Sequence, residues 1–527
     1  MLASRIPAMR NQAWIGLILF GFALWLAWEI GGKIAAEDLR TLAFVTVAFA
    51  GCVVAVMILR DWRRGTIFFL VWLLFEDLVR KYMGNSPVLF FGKDMLALLI
   101  YISLFVAIRN GKERSFRPPF LLFFGLFFWL GVAEAFNPNS PSILYGFLGL
   151  KLYFYYVPLM FVGYALIRGD EDLRKFLMMN VGLAAVIAGL GIAQAVLGHS
   201  FLNPTVLAPE LRDLGKLDRV TPLSNQLLSL PTAVFVSSGR FAGFLVLAFI
   251  FVTGTAGYLL LHTNKYRPLV FGTVGIIGGA ALFSGSRGAV VYCCASALVL
   301  AVGFLWGAPW RWRQAHRMVK MIRRSVIVGG LALTALLMLF PTEAGSRLAF
   351  YTETLSPHSS AYEVSGRVWD YPIANLMGAF ENPNWVLGNG TGTASLGTQY
   401  VAKLLGERPP NFWVEEGYGE LILEMGIVAP FLWLLWTGAL MYYEWRILRR
   451  LRQTRVFPVA LAIFWFSFLL LYPFTYGGLA SYHNYVNNAY FWLLVGIMFR
   501  LPEVAATSSV PVLAAPGRSS ARGGLQF

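Results

Sequence analysis

Long apolar runs alternate with short polar breaks along almost the whole chain. The runs lie at 13–30, 41–59, 66–79, 88–108, 120–136, 147–167 and 176–197. They continue at 241–261, 268–283, 289–306, 326–340, 421–445, 458–472 and 485–499. Most have about the 20 residues that an α-helix needs to cross a bilayer core. The pattern predicts an all-α polytopic membrane protein with about 14 transmembrane helices. The third run is short and acidic, the sixth reads equally as a re-entrant segment, and the last is short. One interruption stands apart. Residues 342–416, between the eleventh and twelfth runs, mix charges, Gly, Pro, Asn and aromatics. The chain therefore divides into an N-terminal bundle (1–341), a loop domain (342–416), C-terminal membrane helices (417–500) and a tail (501–527). The tail is rich in Ala, Ser, Pro and Gly and is expected to be a disordered cytoplasmic segment.

Composition agrees with that class: 57% of the 527 residues are hydrophobic and 13% are charged. The net charge of +16 does not point to nucleic acid, because cytoplasmic loops of membrane proteins accumulate Lys and Arg. The polar breaks sort by that criterion. Those at 60–64, 109–117, 168–175, 262–267, 311–324 and 446–455 are basic. Those at 137–142, 199–240, 284–288, 342–416 and 475–484 are poorer in Lys and Arg. The two sets alternate strictly, so the positive-inside rule puts the first in the cytoplasm. Both termini are then cytoplasmic, and 342–416 becomes one large extracytoplasmic (periplasmic) loop. No cleavable signal is evident, because the first run lacks a small-residue cleavage site. No Walker-type phosphate loop occurs, which argues against an ATP-driven pump. Cys52, Cys293 and Cys294 all fall in apolar runs and read as buried thiols, not as a disulfide framework or a zinc site.

Arginines on the outer face run against the charge rule and therefore stand out. Arg240 lies in Ser238-Gly239-Arg240-Phe241-Ala242-Gly243 and Arg287 in Ser284-Gly285-Ser286-Arg287-Gly288. Arg347 and Arg367 lie in the long loop. A guanidinium among Gly and Ser suits a diphosphate, because it makes forked charge-assisted bonds and small neighbours allow close approach. The plainer alternative is an arginine that anchors a helix end or pairs with a carboxylate. Glu415 and Glu416 close the long loop and are candidate general bases toward an acceptor hydroxyl. Acidic residues there would also suit a helix N-terminus, the reading preferred for Glu420. Glu424 follows Glu420 by one turn. His483 in the last outer break is a second candidate base, and His358 has no motif around it. The early charges Glu76, Asp77, Arg80, Lys81, Lys93 and Asp94 are expected to pair between helices.

Several stretches, taken in order, resemble the superfamily of O-antigen ligases and Wzy-type polysaccharide polymerases. They are the charged block 75–94, Asn137-Pro138-Asn139-Ser140-Pro141 with 146–151, and Gln194-Ala195-Val196-Leu197-Gly198. The two arginine motifs follow, then Ser365-Gly366-Arg367-Val368-Trp369, Leu387-Gly388-Asn389-Gly390-Thr391-Gly392 and Leu423-Glu424-Met425-Gly426-Ile427. The resemblance covers most of the chain up to the tail. It implies a metal-independent, cofactor-free glycosyltransferase in the bacterial inner membrane, with an extracytoplasmic site. Its donor would be a glycan on undecaprenyl diphosphate, its acceptor a glycan or lipid, and its partners chain-length or export proteins. By carry-over, Arg240 and Arg287 bind the diphosphate and Arg367 frames the cavity. Ligases end the loop in a His-Asn pair that supplies the base. Here Glu415-Glu416 stands in that place, so Glu415 becomes the expected base, with Glu416 second and His483 the alternative. Loss of that His tilts the expectation toward a polymerase of exopolysaccharide or O-antigen units. A ligase, a flippase of lipid-linked glycans and a non-catalytic membrane partner in a secretion complex are the competing readings. A flippase would carry internal repeats, and none is evident.

Overall fold

A computed structural model of the chain describes residues 51–84, 87–114, 116–198, 200–204, 218–262, 265–310, 338–412, 417–472 and 479–509, with six single positions between 311 and 337. The described chain is α-helical apart from one small hairpin. After an apolar helix, Gly51–Arg60, come α1 (Trp62–Met83), α2 (Pro87–Arg109), α3 (Leu121–Glu134), α4 (Ile143–Phe154), α5 (Leu159–Leu166) and α6 (Asp170–Leu197). Antiparallel strands β1 (Asp218–Val220) and β2 (Leu227–Ser229) precede α7 (Ser238–His262), α8 (Arg267–Phe283) and α9 (Arg287–Gly307). Then follow α10 (Pro341–Leu355), a π-helical turn at Gly366–Asp370, α11 (Tyr371–Phe380), α12 (Thr398–Leu405) and α13 (Gly417–Met425). The described chain ends with α14 (Val428–Arg450), α15 (Phe457–Leu471), α16 (Leu479–His483) and α17 (Tyr485–Ser509).

Local chemistry sets many of these ends. The Asp61 side chain caps α1 by accepting from the Arg63 and Arg64 amides, and Ser286 caps α9 by accepting from Ala289. Asp170, Glu171 and Asp172 occupy the first turn of α6, where the helix dipole favours negative charge. Pro268 and Pro458 open α8 and α15, positions where a missing amide costs nothing.

Among the described residues, six helical segments are long and apolar enough to cross a membrane: 89–109, 143–166, 170–197, 238–262, 287–307 and 485–507. Helix α7 is the hub, since 83% of its apolar window is buried, against 28% for α9, whose outer side is left to lipid. Glycine sets the tightest crossing. A Cβ on Gly163 would strike the Leu493 carbonyl, and one on Gly496 the Met160 carbonyl, so α5 and α17 meet backbone to backbone.

Several expectations change. The run at 147–167 is two helices separated at 155–158. The run at 421–445 is not one span. It is broken at Gly426, whose φ of 74° is left-handed, and only α14 continues. Helix α17 runs through Pro502 to Ser509, so the tail cannot begin at 501. Cys293 is buried, but Cys52 and Cys294 are exposed on the outside of the bundle. The run at 13–30 and most of 41–59 and 326–340 lie outside the described residues, as does the tail from 510.

The polar breaks segregate. Arg63 pairs with Glu113 at 3.0 Å and donates to the Leu166 carbonyl, while Arg168 reaches the same Glu113 at 2.7 Å. His262 lies 3.4 Å from Asp170, and Gln453 donates to the Gly307 carbonyl. All these contacts join basic breaks to one another. At the opposite helix ends, Gln194 accepts from Thr232 and Ala233, Arg347 donates to the Phe283 and Ser229 carbonyls, and Asn137 donates to Gly388. The two sets that charge alone separates thus meet at two different ends of the bundle.

Candidate functional site

The early charged block forms a buried ion network. Asp77 is fully buried and pairs with Arg80 at 3.0 Å and with Arg240 at 2.9 Å. Lys93 pairs with Glu76 at 3.0 Å, and Lys151 with Asp94 at 2.6 Å. Lys81 donates to the Thr232 hydroxyl and the Ala233 carbonyl, both at 2.9 Å. One ring gathers three of the cations: Lys93, Lys151 and Arg80 stand 4.0, 4.7 and 5.0 Å from the centroid of Phe90. Five cations (Arg80, Lys81, Lys93, Lys151, Arg240) face three carboxylates (Glu76, Asp77, Asp94), a formal surplus of two positive charges. Of the expected pairing between helices, Lys93–Glu76 occurs, whereas Arg80 pairs within its own helix, Lys81 bonds neutral oxygens and Asp94 takes a partner from outside the early block. Sequence reasoning missed its extension to Arg240 and Lys151, which lie 163 and 57 residues further along than Asp77 and Asp94.

The break between α15 and α17 links this network to a second polar cluster. Tyr485 lies with its ring 5.0 Å from the Arg240 guanidinium and 4.6 Å from Lys93 Nζ, and its buried hydroxyl has no partner among the described residues. Two residues earlier, the side chain of His483 is fully buried, with Nδ1 3.3 Å from Glu420 Oε1 and the ring edge-on to Tyr153. Neither ring nitrogen makes a hydrogen bond among the described residues. Glu424, one turn beyond Glu420, accepts from the Tyr153 hydroxyl at 3.1 Å, the Ser395 hydroxyl at 2.6 Å and the Ala394 amide at 3.0 Å.

The glycine-rich stretch of the long loop builds this second cluster. Gly388, Gly390 and Gly392 all have φ between 83° and 100°. That path lets Asn389 and Gly390 donate to the Leu423 and Glu424 carbonyls, satisfying the open end of α13. It also brings Gly392 against Gly149, where a Cβ on Gly149 would stand 2.5 Å from the Gly392 amide nitrogen. Trp385 and Phe412 pack with Ala379, Ile422 and Leu423, so the loop is seated on the helix that carries Glu420 and Glu424. Glu415 and Glu416, the expected bases, lie outside the described residues.

Arg287 does not join Arg240. It pairs with Glu363 at 2.6 Å, and its guanidinium stands 5.4 Å from the ring of Phe350. Arg219, which sequence reasoning did not single out, stands at 5.4 Å from the same ring. Although Arg219 lies on an exposed strand, crowding by neighbouring groups desolvates its guanidinium in part and holds it below its ordinary range, Arg287 and Arg367 push it further, and Glu363 opposes them. The Arg367 guanidinium, near enough for its charge to act on Arg219, rests 4.7 Å from the Tyr371 ring. Arg347 has the plainer role, tying together the ends of α6, β2 and α8 through the Ala195, Ser229 and Phe283 carbonyls. The segment from Leu228 to Arg240 connects the two arginine clusters. Leu228 and Leu230 pack beside Phe350, and Val236 donates to Asp77.

Among the described residues, no group of three His, Cys, Asp or Glu side chains is arranged to hold a metal ion. Geometry and electrostatics define a class: an α-helical membrane protein whose breaks poorer in Lys and Arg gather two cationic clusters, one around the buried Asp77 and one around the part-exposed Glu363. Comparison with family models, with curated proteins and with solved structures returns no match that would narrow this class to a particular family.

Proposed function

We propose that the chain is a glycosyltransferase at the outer face of the bacterial inner membrane. It would extend or transfer a glycan carried on undecaprenyl diphosphate, in exopolysaccharide or O-antigen synthesis. The supporting observation is the break at 479–485, which sets Tyr485 against Arg240 and His483 against Glu420. A cationic surplus suited to a diphosphate and a base cluster suited to a hydroxyl are thus two residues apart on one segment.

The chemistry follows from those parts. An acceptor hydroxyl oxygen attacks the anomeric carbon while the bond from that carbon to the diphosphate oxygen breaks, inverting the centre. The hydroxyl proton passes to a carboxylate or imidazole base. Glu415 or Glu416 takes that role on the family resemblance, and His483, held by Glu420, is the described alternative. The diphosphate enters with two negative charges and gains one more as the C–O bond breaks, and the Arg240 network, with its formal surplus of two positive charges, is placed to take up that developing charge. Polymerisation is preferred over ligation, because the ligase-type His-Asn pair is replaced by Glu415-Glu416.

Deletion of the gene in its host tests this reading. Lipid-linked single repeat units should accumulate and long surface chains should disappear. Complete chains left on undecaprenyl diphosphate would mean a ligase. Unchanged surface and lipid-linked glycans would remove the enzyme reading altogether.

A further inference from the structure

The two arginine motifs that read as one diphosphate site are built into different clusters, and the outer one has its own logic. We infer that Arg219, Arg287 and Arg367 form a second anion site, separate from the Arg240 network, that holds the carboxylate of an acidic sugar in the glycan substrate. The inference rests on the glycosyltransferase reading and adds a substrate class to it.

Arg287 pairs with Glu363 and shares the Phe350 ring with Arg219, and Arg219 feels the charges of Glu363 and Arg367, so three guanidiniums gather around one carboxylate with a formal surplus of two positive charges. Like charges at this range repel, and an incoming anion relieves the repulsion. The partner is also open to exchange. Glu363 is 43% exposed, so a ligand carboxylate can displace it from Arg287, whereas Asp77 is fully buried and stays on Arg240 while the part-exposed Arg240 guanidinium faces its own ligand.

Separate elements deliver the three arginines. Arg219 sits on an exposed strand whose partner residue Leu228 is buried against the α8–α9 turn, where Gly285 at φ +66° leaves room for it. Arg287 opens α9, and the helix dipole adds to its charge. Arg367 lies on the π-helical turn Gly366–Asp370, an uncommon geometry that is frequent at functional sites. That turn also carries Trp369, 68% exposed, an apolar ring suited to the C–H face of a pyranose. Forked guanidiniums match a planar carboxylate in two-point contact. A neutral sugar would leave the charge surplus unanswered.

The test uses the full-length protein in nanodiscs of zwitterionic phosphatidylcholine, titrated calorimetrically with two probes. One is a galacturonate tetramer and the other is maltotetraose, its neutral counterpart. The acidic tetramer should bind roughly tenfold or more tightly than the neutral one, as expected for charge-assisted hydrogen bonds. Arg219→Gln and Arg367→Gln should each weaken acidic binding by about tenfold, with Arg367→Lys intermediate. Lys403→Gln, which removes an exposed charge elsewhere in the same region, should change nothing. Equal binding of both tetramers, or indifference to both arginine substitutions, overturns the inference. So does abolition of acidic binding by anionic phosphatidylglycerol in the nanodiscs, which would assign the cluster to a lipid headgroup. Because the assay needs no turnover, its failure leaves the glycosyltransferase reading standing. An unchanged glycan in the deletion strain would instead remove the reading beneath it.

Discussion

Arg240 and Arg287 carry the same local signature: each follows Gly or Ser, opens a helix and belongs to a break poor in other basic residues. Their surroundings differ. Arg240 is locked to a carboxylate that no solvent reaches and belongs to a network of eight charges. Arg287 holds a carboxylate that is nearly half exposed and shares a ring with another arginine. The lesson is that flanking glycines say how closely a ligand can approach, whereas long-range partners say whether a guanidinium is structural, functional or both. Arg240 carries fold stability and charge surplus together. Arg287 carries surplus with little stake in the fold.

The sharpest way to break that contrast is to remove each guanidinium and follow unfolding. Arg240→Ala leaves Asp77 buried with Arg80 as its paired cation and the Val236 amide as a neutral donor. It should cost on the order of 3 kcal/mol, near the low end for a broken buried pair because Arg80 stays. A clear fall in the thermal midpoint of the detergent-solubilised protein is expected. Adding Asp77→Asn should restore part of the loss, since the uncompensated charge is then gone. A double variant no more stable than Arg240→Ala would mean that Asp77 is not what Arg240 neutralises.

Arg287→Ala is the paired case and should be milder. With Glu363 at the surface, the loss should stay within about 1 kcal/mol, the range of exposed ion pairs. If Arg287→Ala destabilises the protein as much as Arg240→Ala does, the distinction between a sealed and an open cluster is wrong. The acidic-tetramer titration then separates them in the other direction, because Arg287→Ala should lose binding while keeping its fold.

Much of this arrangement was legible in the sequence, and the illegible part has a physical cause. Apolar runs marked α2, α7 and α9 and the C-terminal end of α6 to within a few residues, because bilayer thickness sets their length, whereas the charged first turns of α6 fell outside its run. Charge marked which breaks meet, because Glu113 draws Arg63 and Arg168 to one end while Asp77 draws Arg240 to the other. The split between α13 and α14 was missed. Apolarity runs straight through Gly426, and what breaks the helix there is the Val386 carbonyl accepting from the Ile427 amide. Arg219 was missed for a similar reason. Nothing around it in the sequence is unusual, and only the hairpin brings it to Phe350.

The smallest expected effect sharpens how the outer cluster is held in place. Glu353, on α10 three residues beyond Phe350, is half-buried and accepts from the Leu223 amide at 2.8 Å and the Ser224 amide at 3.2 Å. These bonds fix the turn between the two strands that deliver Arg219. Bonding to the Ser224 side chain and to those two amides lowers the Glu353 carboxyl below its ordinary value of 4.5. A carboxyl depressed in the folded state contributes fully above that ordinary value. The contribution is lost as pH falls through the lower, folded value. The turn should therefore stay fixed at neutral pH and loosen only well below pH 4.5. Hydrogen exchange, normalised to the intrinsic rate at each pH, should show protection of Leu223 and Ser224 that disappears in acid. Glu353→Gln should reduce that protection already at pH 7 and weaken acidic-tetramer binding less than Arg219→Gln does. Protection in the Gln variant equal to that of the parent at pH 7 would show that the hairpin is held by Leu228 and Leu230 alone, and that α10 contributes to the outer cluster only through Phe350.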